Sequence, residues 1–555
     1  SYAGNTFTGG TDADAFAGTP GADVMTGDAG DDTFYGAEGD DAIDGGADTD
    51  TAVFTEVRAD VTVGVTTDAS GRVTGFTSVT DNDTTDGDEG TDSLTSIEVV
   101  QFGDVTLDVS QAVQLFDAAD ALVGTFDTIQ AAVDAAGNDH TIRVAAGTYV
   151  EQVVVDGLTG LTIEGTGDDT IIQMAAAPVF TATENGRDRA AVVTVIDSGD
   201  ITLRDVKVDG AGLAGAMSGG TNPDFEGVLI VDSGAFVYDV TVTGVRDVLQ
   251  GDGTPQGSQR GNAMVVLNTD GVSRAVNANN NTFEDFQKNG VTVHGTGLVF
   301  GFANNTIEGS GFLPSPSAIA QNGLQISGGA TGSIVNNSFS EIGYQRGDYV
   351  TTNILAFGAG DGLSLINNTF QGATDSGGTA QPTTNVGIYI YGETDNATVD
   401  GNTFNELTFG VIFQNNTDTP SVAGNTFTNM FDSVTTNTGH GTFTGDNFEV
   451  YGGDNDSALT FTASDGVDYL LGTPFADDFD AGAGNDYLLG GEGDDTLDGG
   501  DGTDTAAYAE NRAEVTIGVT TDGDGFVTGF TSVTDTDNTD FDEGTDSLTS
   551  IENLE

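Results

Sequence analysis

Aspartate recurs at every ninth position near the start of the chain. Read in nines from Gly9, the residues run GGTDADAFA, GTPGADVMT, GDAGDDTFY, GAEGDDAID and GGADTDTAV. The sixth position is always aspartate (Asp14, Asp23, Asp32, Asp41, Asp50), and the eighth is apolar (Phe16, Met25, Phe34, Ile43, Ala52). The unit returns displaced by 454 residues, from Asp14 to Asp468, as ASDGVDYLL, GTPFADDFD, AGAGNDYLL, GGEGDDTLD and GGDGTDTAA. There the sixth positions are Asp468, Asp477, Asp486, Asp495 and Asp504, and the inward positions are Leu470, Phe479, Leu488, Leu497 and Ala506. Carboxylates at a fixed short interval among glycines are a donor set for a hard cation, which takes carboxylate and backbone carbonyl oxygens.

A second group of residues could do covalent chemistry. Lys288 and His294 stand six apart in a chain with three histidines. A base beside a cation that stabilises a carboxylate-bearing carbanion is what proton abstraction from a uronate needs. Arg260, Gln325, Arg346, Tyr389 and Tyr391 are the candidate substrate contacts, with Arg346 in the insertion YQRGDYV beside Tyr344, Asp348 and Tyr349. Solvated surface residues explain the Lys–His pair equally well, and the two tyrosines suit a sugar-stacking platform without catalysis.

The nines must be positioned by short strands. Glycine permits the left-handed turn that reverses each strand, and the eighth side chain points inward. If two nines make one coil, aspartates eighteen apart share an edge, with Asp14, Asp32 and Asp50 on one and Asp23 and Asp41 on the other. Asp32, with coil neighbours on both sides, is expected to matter most. Asp12 and Asp48 stand where the pattern has its fourth glycine, so the outermost sites are expected to be weaker. The pattern resembles the RTX (repeats-in-toxin) nonapeptide, a resemblance that implies a parallel β-roll and Ca²⁺ as the bound ion. A Gly/Asp-rich disordered linker is the bland alternative, and five nines in unbroken register argue against it.

Composition narrows the function classes. The chain of 555 residues carries 88 acidic and 13 basic residues, for a formal charge of -75. Such a field repels nucleic acid and anionic membranes and attracts divalent cations. Cysteine is absent, which excludes disulfides and thiolate metal sites. That lack also resembles secreted bacterial RTX proteins, exported unfolded and folded in external Ca²⁺. No apolar run approaches a membrane span, and the N-terminus shows no signal peptide. The start at Ser1 is read as trimming. The stop at Glu555, where the first copy runs on into VVQFGDVTLDV, is read as one excerpt of a longer array.

Each set of nines is followed by an acidic segment that the two copies share almost residue for residue, through GTDSLTSIE. Val61, Val63 and Val65, then Val73, Phe76 and Val79, predict short strands around a turn at Ser70–Gly71. The carboxylate-dense stretch from Asp81 to Glu89 lacks EF-hand spacing and reads as a solvated loop at least as well as a cation site.

Between the copies the pattern changes. FDTIQAAVDAA predicts a short helix with Ile129, Ala132, Val133 and Ala136 on one face, capped by Asp127 or Thr128. Alternating strands and glycine turns follow, and the whole resembles the entry of pectate-lyase-like right-handed parallel β-helices. There an amphipathic helix covers the open end of the first coil, whose edge would otherwise template aggregation. Asn-Thr/Ser-Phe triplets recur at Asn281, Asn305 (with isoleucine), Asn337, Asn368, Asn402 and Asn425, with Asp446-Asn447-Phe448 as a last member. The asparagine suits a turn and can bond to its equivalent in the next coil, while the aromatic ring stacks inside. A strand ladder beginning with Gly or Ala puts Val291/Val293, Leu324/Ile326, Ile388/Ile390 and Val411/Phe413 inside, leaving Thr292/His294, Gln325/Ser327, Tyr389/Tyr391 and Ile412/Gln414 outside.

The reading is an all-β chain. RTX β-rolls at 1–53 and 456–508 and acidic tail modules at 54–111 and 509–555 bracket a right-handed parallel β-helix solenoid at 112–455 with a short N-terminal capping helix. Two functions follow from different classes. One is a secreted Ca²⁺-binding protein of the bacterial cell surface or matrix (adhesin, surface layer or filament), with self-assembly or a cell-surface polysaccharide as partner. The other is a lyase, epimerase or hydrolase on an acidic glycan. Mannuronan C5-epimerases combine these two parts, but their Asp-Pro-His motif is absent, as are the paired-aspartate and Arg-Ile-Lys signatures of polygalacturonases. Whether the chain is an enzyme stays open at this point.

Overall fold

The computed structural model describes residues 4–83, 89–184, 186–210, 224–246, 260–311, 320–343, 351–373, 385–392, 396–407, 409–414, 421–428, 434–436, 441–445, 448–451, 460–462, 468–472, 475–508, 512–536 and 544–555. They cluster into two compact units: Ser1–Gln173 with Asp197–Lys207, and Met174–Ile196 with Val208–Glu555.

In the first unit the nines fold into short parallel strands. Thr6–Thr8, Val24–Ala29, Ala42–Ala47 and Thr91–Thr95 form one sheet, and Ala15–Ala17, Thr33–Tyr35, Thr51–Val53 and Val99–Gln101 another. The register steps by eighteen: Phe7 pairs with Met25 and Met25 with Ile43, while Phe16 pairs with Phe34 and Phe34 with Ala52. Two nines therefore make one coil, and the eighth-position side chains stack in its core, where the Phe16 and Phe34 rings lie 4.9 Å apart. Gly30, Gly39 and Gly46 sit at φ of 109°, 123° and 105°, backbone that a Cβ would strain.

The step then changes. Ile43 pairs next with Leu94 and Ala52 with Val100, because an antiparallel hairpin, Val61–Thr67 with Val73–Asp81, loops out between them. The tail module thus supplies the last coil of the roll. Beyond it, Val113–Phe116 runs antiparallel to Leu122–Phe126 and to Thr141–Val144. The helix Ile129–Ala135 buries Ile129, Ala132 and Val133. Thr128 is its cap: its hydroxyl accepts the Ala131 N–H, and the Glu151 carboxylate accepts those of Ile129 and Gln130, both at 2.9 Å.

The second unit is a parallel β-helix that runs on into the second roll. Asp224–Val231, Asn262–Leu267, Asn289–His294, Asn322–Ser327, Thr351–Phe357, Asn385–Tyr391 and Phe409–Gln414 pair in parallel as one sheet. Val291, Leu324, Ile354, Ile388 and Val411 are one buried column, and Val293, Ile326, Ala356 and Ile390 a second. On the other side, Phe283, Ile307, Phe339, Phe370 and Phe404 are in register. The rings of Phe339, Phe370 and Phe404 stack at 5.2 and 4.9 Å. Glu449 and Val450 then pair with Tyr469 and Leu470, which begin the second roll.

The asparagine triplets split into two jobs. The left-handed turn belongs to the residue before each triplet: Asn280, Asn304, Asn336, Asn367 and Gly401 have φ of 55–64°. The triplet asparagine itself is buried and bonds from coil to coil. Asn337 Oδ1 accepts the Asn305 amide N–H and side-chain Nδ2–H, both at 2.9 Å, while its own Nδ2 donates to Phe302 O and Asn368 Oδ1. Asn281, Asn305, Asn368 and Asn402 repeat the pattern. Residues 446–447, the expected last member, lie outside the described residues, as does part of the stretch from Asp81 to Glu89.

Candidate metal centres and strand-face cavity

From Asp23 on in the first roll, and from Asp486 on in the second, each aspartate of the nines is held by the coil before it. The backbone N–H groups of Asp14, Asp23 and Asp32 donate to Oδ1 of Asp32, Asp41 and Asp50 at 2.7, 2.7 and 2.9 Å, and Asn5 N–H donates to Asp23. In the second roll Asp468, Asp477 and Asp486 donate in the same way to Asp486, Asp495 and Asp504 at 2.7, 2.7 and 2.8 Å. The ladder does not stop with the nines. Asp41 N–H donates to Asp92 Oδ1 at 2.8 Å and Asp50 N–H to Glu98 Oε2 at 3.0 Å; Asp495 and Asp504 do the same to Asp546 and Glu552, both at 2.9 Å. These four tail carboxylates were not among the sequence candidates. The shared segment GTDSLTSIE that carries them in both copies was the available signal. Asp32 therefore shares its two-sided position with Asp41 and Asp50.

One carboxylate oxygen is thereby spent on each backbone amide, and the other is left over. Oδ2 of Asp32, Asp41, Asp50, Asp486, Asp495 and Asp504 is buried with no hydrogen-bond partner. Beside five of the six lies the opening glycine of its nine, where a Cβ would run into that oxygen at Gly27, Gly36, Gly45, Gly490 and Gly499; the nine of Asp486 opens with Ala481. At Gly27, Gly45 and Gly499 the carbonyl oxygens of Gly45, Ser96 and Ser550 converge on the same point. Among the described residues no cluster of three or more His, Cys, Asp or Glu side chains is set to hold a metal. A cation held here would take one or two carboxylates and complete its shell with carbonyls, an all-oxygen set of the kind that suits Ca²⁺ over softer metals. Without the ion, burial first and neighbouring carboxylates next push Asp41, Asp50 and Asp486 up to about 6, and Asp92 and Asp495 up to about 8, against the amide bonds that each accepts. Asp14 is half-buried, and its Oδ2 accepts Gly10 N–H at 3.0 Å.

The outward face of the β-helix sheet carries a cavity of about 270 Å³ that holds Lys288 and Gln325 together with Arg189, Asp224, Asn289 and Thr292. Lys288 Nζ donates to Ala320 O at 2.7 Å, and burial pulls the amine down to about 8. Arg189 meets Glu226 at 2.5 Å and Asp224 at 3.6 Å. Burial pushes the Glu226 carboxyl up to about 8 despite that cation. A buried amine that sheds its proton near neutrality beside a guanidinium can accept a proton while an anion is held. Arg189, Asp224 and Glu226 went unnoticed because they sit in coils joined by segments of irregular length, so no fixed spacing marks them.

The structure does not bring His294 to Lys288. They flank opposite ends of the strand Asn289–His294; six residues of strand at about 3.3 Å each hold them roughly 20 Å apart. His294 is exposed, with Nδ1 3.1 Å from Ser327 Oγ. Tyr389 and Tyr391 meet edge to face at 6.3 Å, and Phe357 stacks on Tyr391 at 5.2 Å. Arg260 is buried. Arg346, Tyr344, Asp348 and Tyr349 lie outside the described residues.

The repeat geometry agrees with the comparison to known families. The family model of the RTX calcium-binding nonapeptide repeat matches residues 17–52 and 471–506, and that of the right-handed β-helix region matches residues 263–452. This chain carries RTX calcium-binding repeats at both ends of a right-handed β-helix. Its RTX repeats bind calcium. No curated protein matches the sequence. Among solved structures the chain is similar to Geobacillus virus E2 ORF18 at 14% identity and TM-score 0.30, with 67% of this chain and 59% of that one covered. It is similar to the GH136 lacto-N-biosidase of Eubacterium ramulus at 10% and 0.33, covering 68% and 66%. The pectin methylesterase of Yersinia enterocolitica follows at 13% and 0.26, covering 53% and 90%. The chain thus spans less than two thirds of the first two. Among the described residues no helix is long and apolar enough to cross a membrane.

Proposed function

We propose that this is a secreted protein of the bacterial cell surface or matrix whose RTX rolls are set by calcium, with the β-helix between them as the displayed scaffold. The aspartates of the nines, Asp14 to Asp50 and Asp468 to Asp504, hold the ions, and Asp92, Glu98, Asp546 and Glu552 close the last sites. The buried, partnerless Oδ2 atoms carry this reading. A buried carboxylate oxygen without a partner costs several kcal/mol at order of magnitude, and a cation between coils removes that cost. Folding and ion binding are then one event, as they are wherever a site does not preexist in the unfolded chain. Light scattering at millimolar Ca²⁺ tests the surface-assembly part: growth of large species on calcium addition supports it, and a strictly monomeric protein contradicts it.

A second reading rests on the Lys288 cavity. In a chain of such negative charge, Arg189 and Lys288 on one outward face are a place where an acidic sugar is attracted. Lys288 would serve as base and Arg189 as the carboxylate clamp of a uronate lyase or epimerase, with Gln325 positioning the ring and the Phe357–Tyr391–Tyr389 aromatics binding further units. Incubation with alginate and pectin, followed by unsaturated-uronate absorbance and by exchange of the C5 proton, tests it; inertness across that panel removes the enzyme reading and leaves the first untouched.

A further inference from the structure

The first tail module holds a pair of carboxylates outside the ladder of the coils. Glu56 stands where the chain leaves the roll, and its backbone O accepts Gly103 N–H at 2.7 Å. It is only 7% exposed, and its Oε2 is buried with no hydrogen-bond partner. Glu89 comes back to it from the far side of the hairpin. Glu89 Oε1 accepts the Thr55 N–H at 3.3 Å and the Thr55 hydroxyl at 2.7 Å, which fixes its carboxylate beside the next residue, Glu56.

The surroundings leave this pair without a balancing charge of its own. Burial first and the facing Glu89 carboxylate next push the Glu56 carboxyl above its ordinary range. Arg58, two residues on, is turned to backbone oxygens, donating to Leu122 O at 2.8 Å and to Val61 O at 3.1 Å. Asp81 does not join the pair. Its Oδ1 accepts Asp83 N–H at 2.8 Å and its Oδ2 accepts Glu89 N–H at 3.3 Å, so it shapes the backbone that presents Glu89.

The duplication adds a separate observation. The second copy keeps both glutamates at the same displacement of 454, as Glu510 and Glu543. The neighbours of Glu56 change on either side: Thr55 becomes Ala509 and Val57 becomes Asn511. The glutamate is therefore kept for its carboxylate and not for the pattern around it.

We propose that Glu56 and Glu89 form a calcium site of the tail module, distinct from the sites between the nines. Two facing carboxylates with a buried, partnerless oxygen suit a hard divalent cation, whose shell carbonyl and water oxygens complete. Glu56 precedes the hairpin Val61–Thr67 with Val73–Asp81, and Glu89 follows it. The ion then ties the two ends of that excursion together, and this offsets the loop-closure entropy of returning Thr91–Thr95 to the roll.

Flow dialysis of the full chain at about 1 mM free calcium counts the bound ions. Glu56→Gln and Glu89→Gln should each lower the count by one, with the strand signal in circular dichroism retained. Glu89 is half-buried, so its variant decides the result if Glu56→Gln does not fold. An unchanged count in folded Glu89→Gln overturns the proposal. An unchanged count in Glu56→Gln, with higher melting than the unaltered chain in chelator, overturns it in favour of a carboxyl pair that shares a proton. Asp32→Ala separates this site from those of the roll. Loss of an ion there but in neither glutamate variant defeats the Glu56 site alone, whereas no bound calcium in the unaltered chain defeats both.

Discussion

The backbone N–H of Asp41 donates to Oδ1 of Asp92, fifty-one residues further on, in the place where the preceding rungs reach an aspartate eighteen residues on. The tail module is thus the last coil of the roll and a source of its carboxylates. Asp92→Ala should raise the calcium concentration needed to fold the roll about as much as Asp32→Ala or Asp41→Ala, and more than Asp14→Ala. A calcium titration followed by circular dichroism measures the midpoints, with a shift of at least about threefold expected for the loss of one charged ligand.

The pH dependence should change sign with calcium. Without the ion, Asp41 and Asp50 sit up at about 6 and Asp92 at about 8 in the fold, above the ordinary aspartate range that they return to on unfolding. The folded state then binds more protons, so their stabilising contribution is complete below about pH 4 and is lost as pH rises toward 8. Calcium binding needs the deprotonated carboxylates, so ion affinity rises over the same window. In chelator the residual strand signal of the rolls should be larger at pH 5 than at pH 7.5, and the calcium concentration needed to fold them should fall over the same rise in pH.

The asparagine ladder should dominate the stability of the β-helix. Asn337→Ala removes four side-chain hydrogen bonds and takes its acceptor from the buried Asn305 amide. A loss of about 3–5 kcal/mol is expected, and Phe370→Ala, which breaks the ring stack, should cost about the same. Urea unfolding in calcium checks both.

Acidic-glycan binding on the strand face should depend on Lys288 and Arg189 and not on His294, which lies at the far end of its strand. Isothermal titration with oligouronates should show at least about tenfold weaker binding for Lys288→Ala and no change for His294→Ala. Equal losses for the two would contradict the separation that the strand imposes.

Much of this was legible because the groups concerned have no substitutes. Only glycine tolerates the reversed turns at Gly30 and Gly39; carboxylate in the sixth position and an apolar eighth follow from one coil repeating itself. The β-helix columns at Val291 and Leu324 follow from period two in the same way. What escaped the reading lies where the step between contacts is irregular. Asp92 and Glu98 are separated from the nines by a hairpin, Arg189 meets Glu226 across 37 residues, and the turn role that the triplet asparagines were expected to fill belongs to the residue before them.

On this reading calcium folds the two rolls by filling sites between their coils. The most direct measurement of this is far-ultraviolet circular dichroism of the full chain, stripped with excess chelator and then titrated with CaCl₂. A cooperative gain of strand signal is expected, with a midpoint below about 10 mM, shifted to higher calcium by Asp41→Ala and by Asp495→Ala. A spectrum already complete in chelator and unmoved by calcium would contradict it.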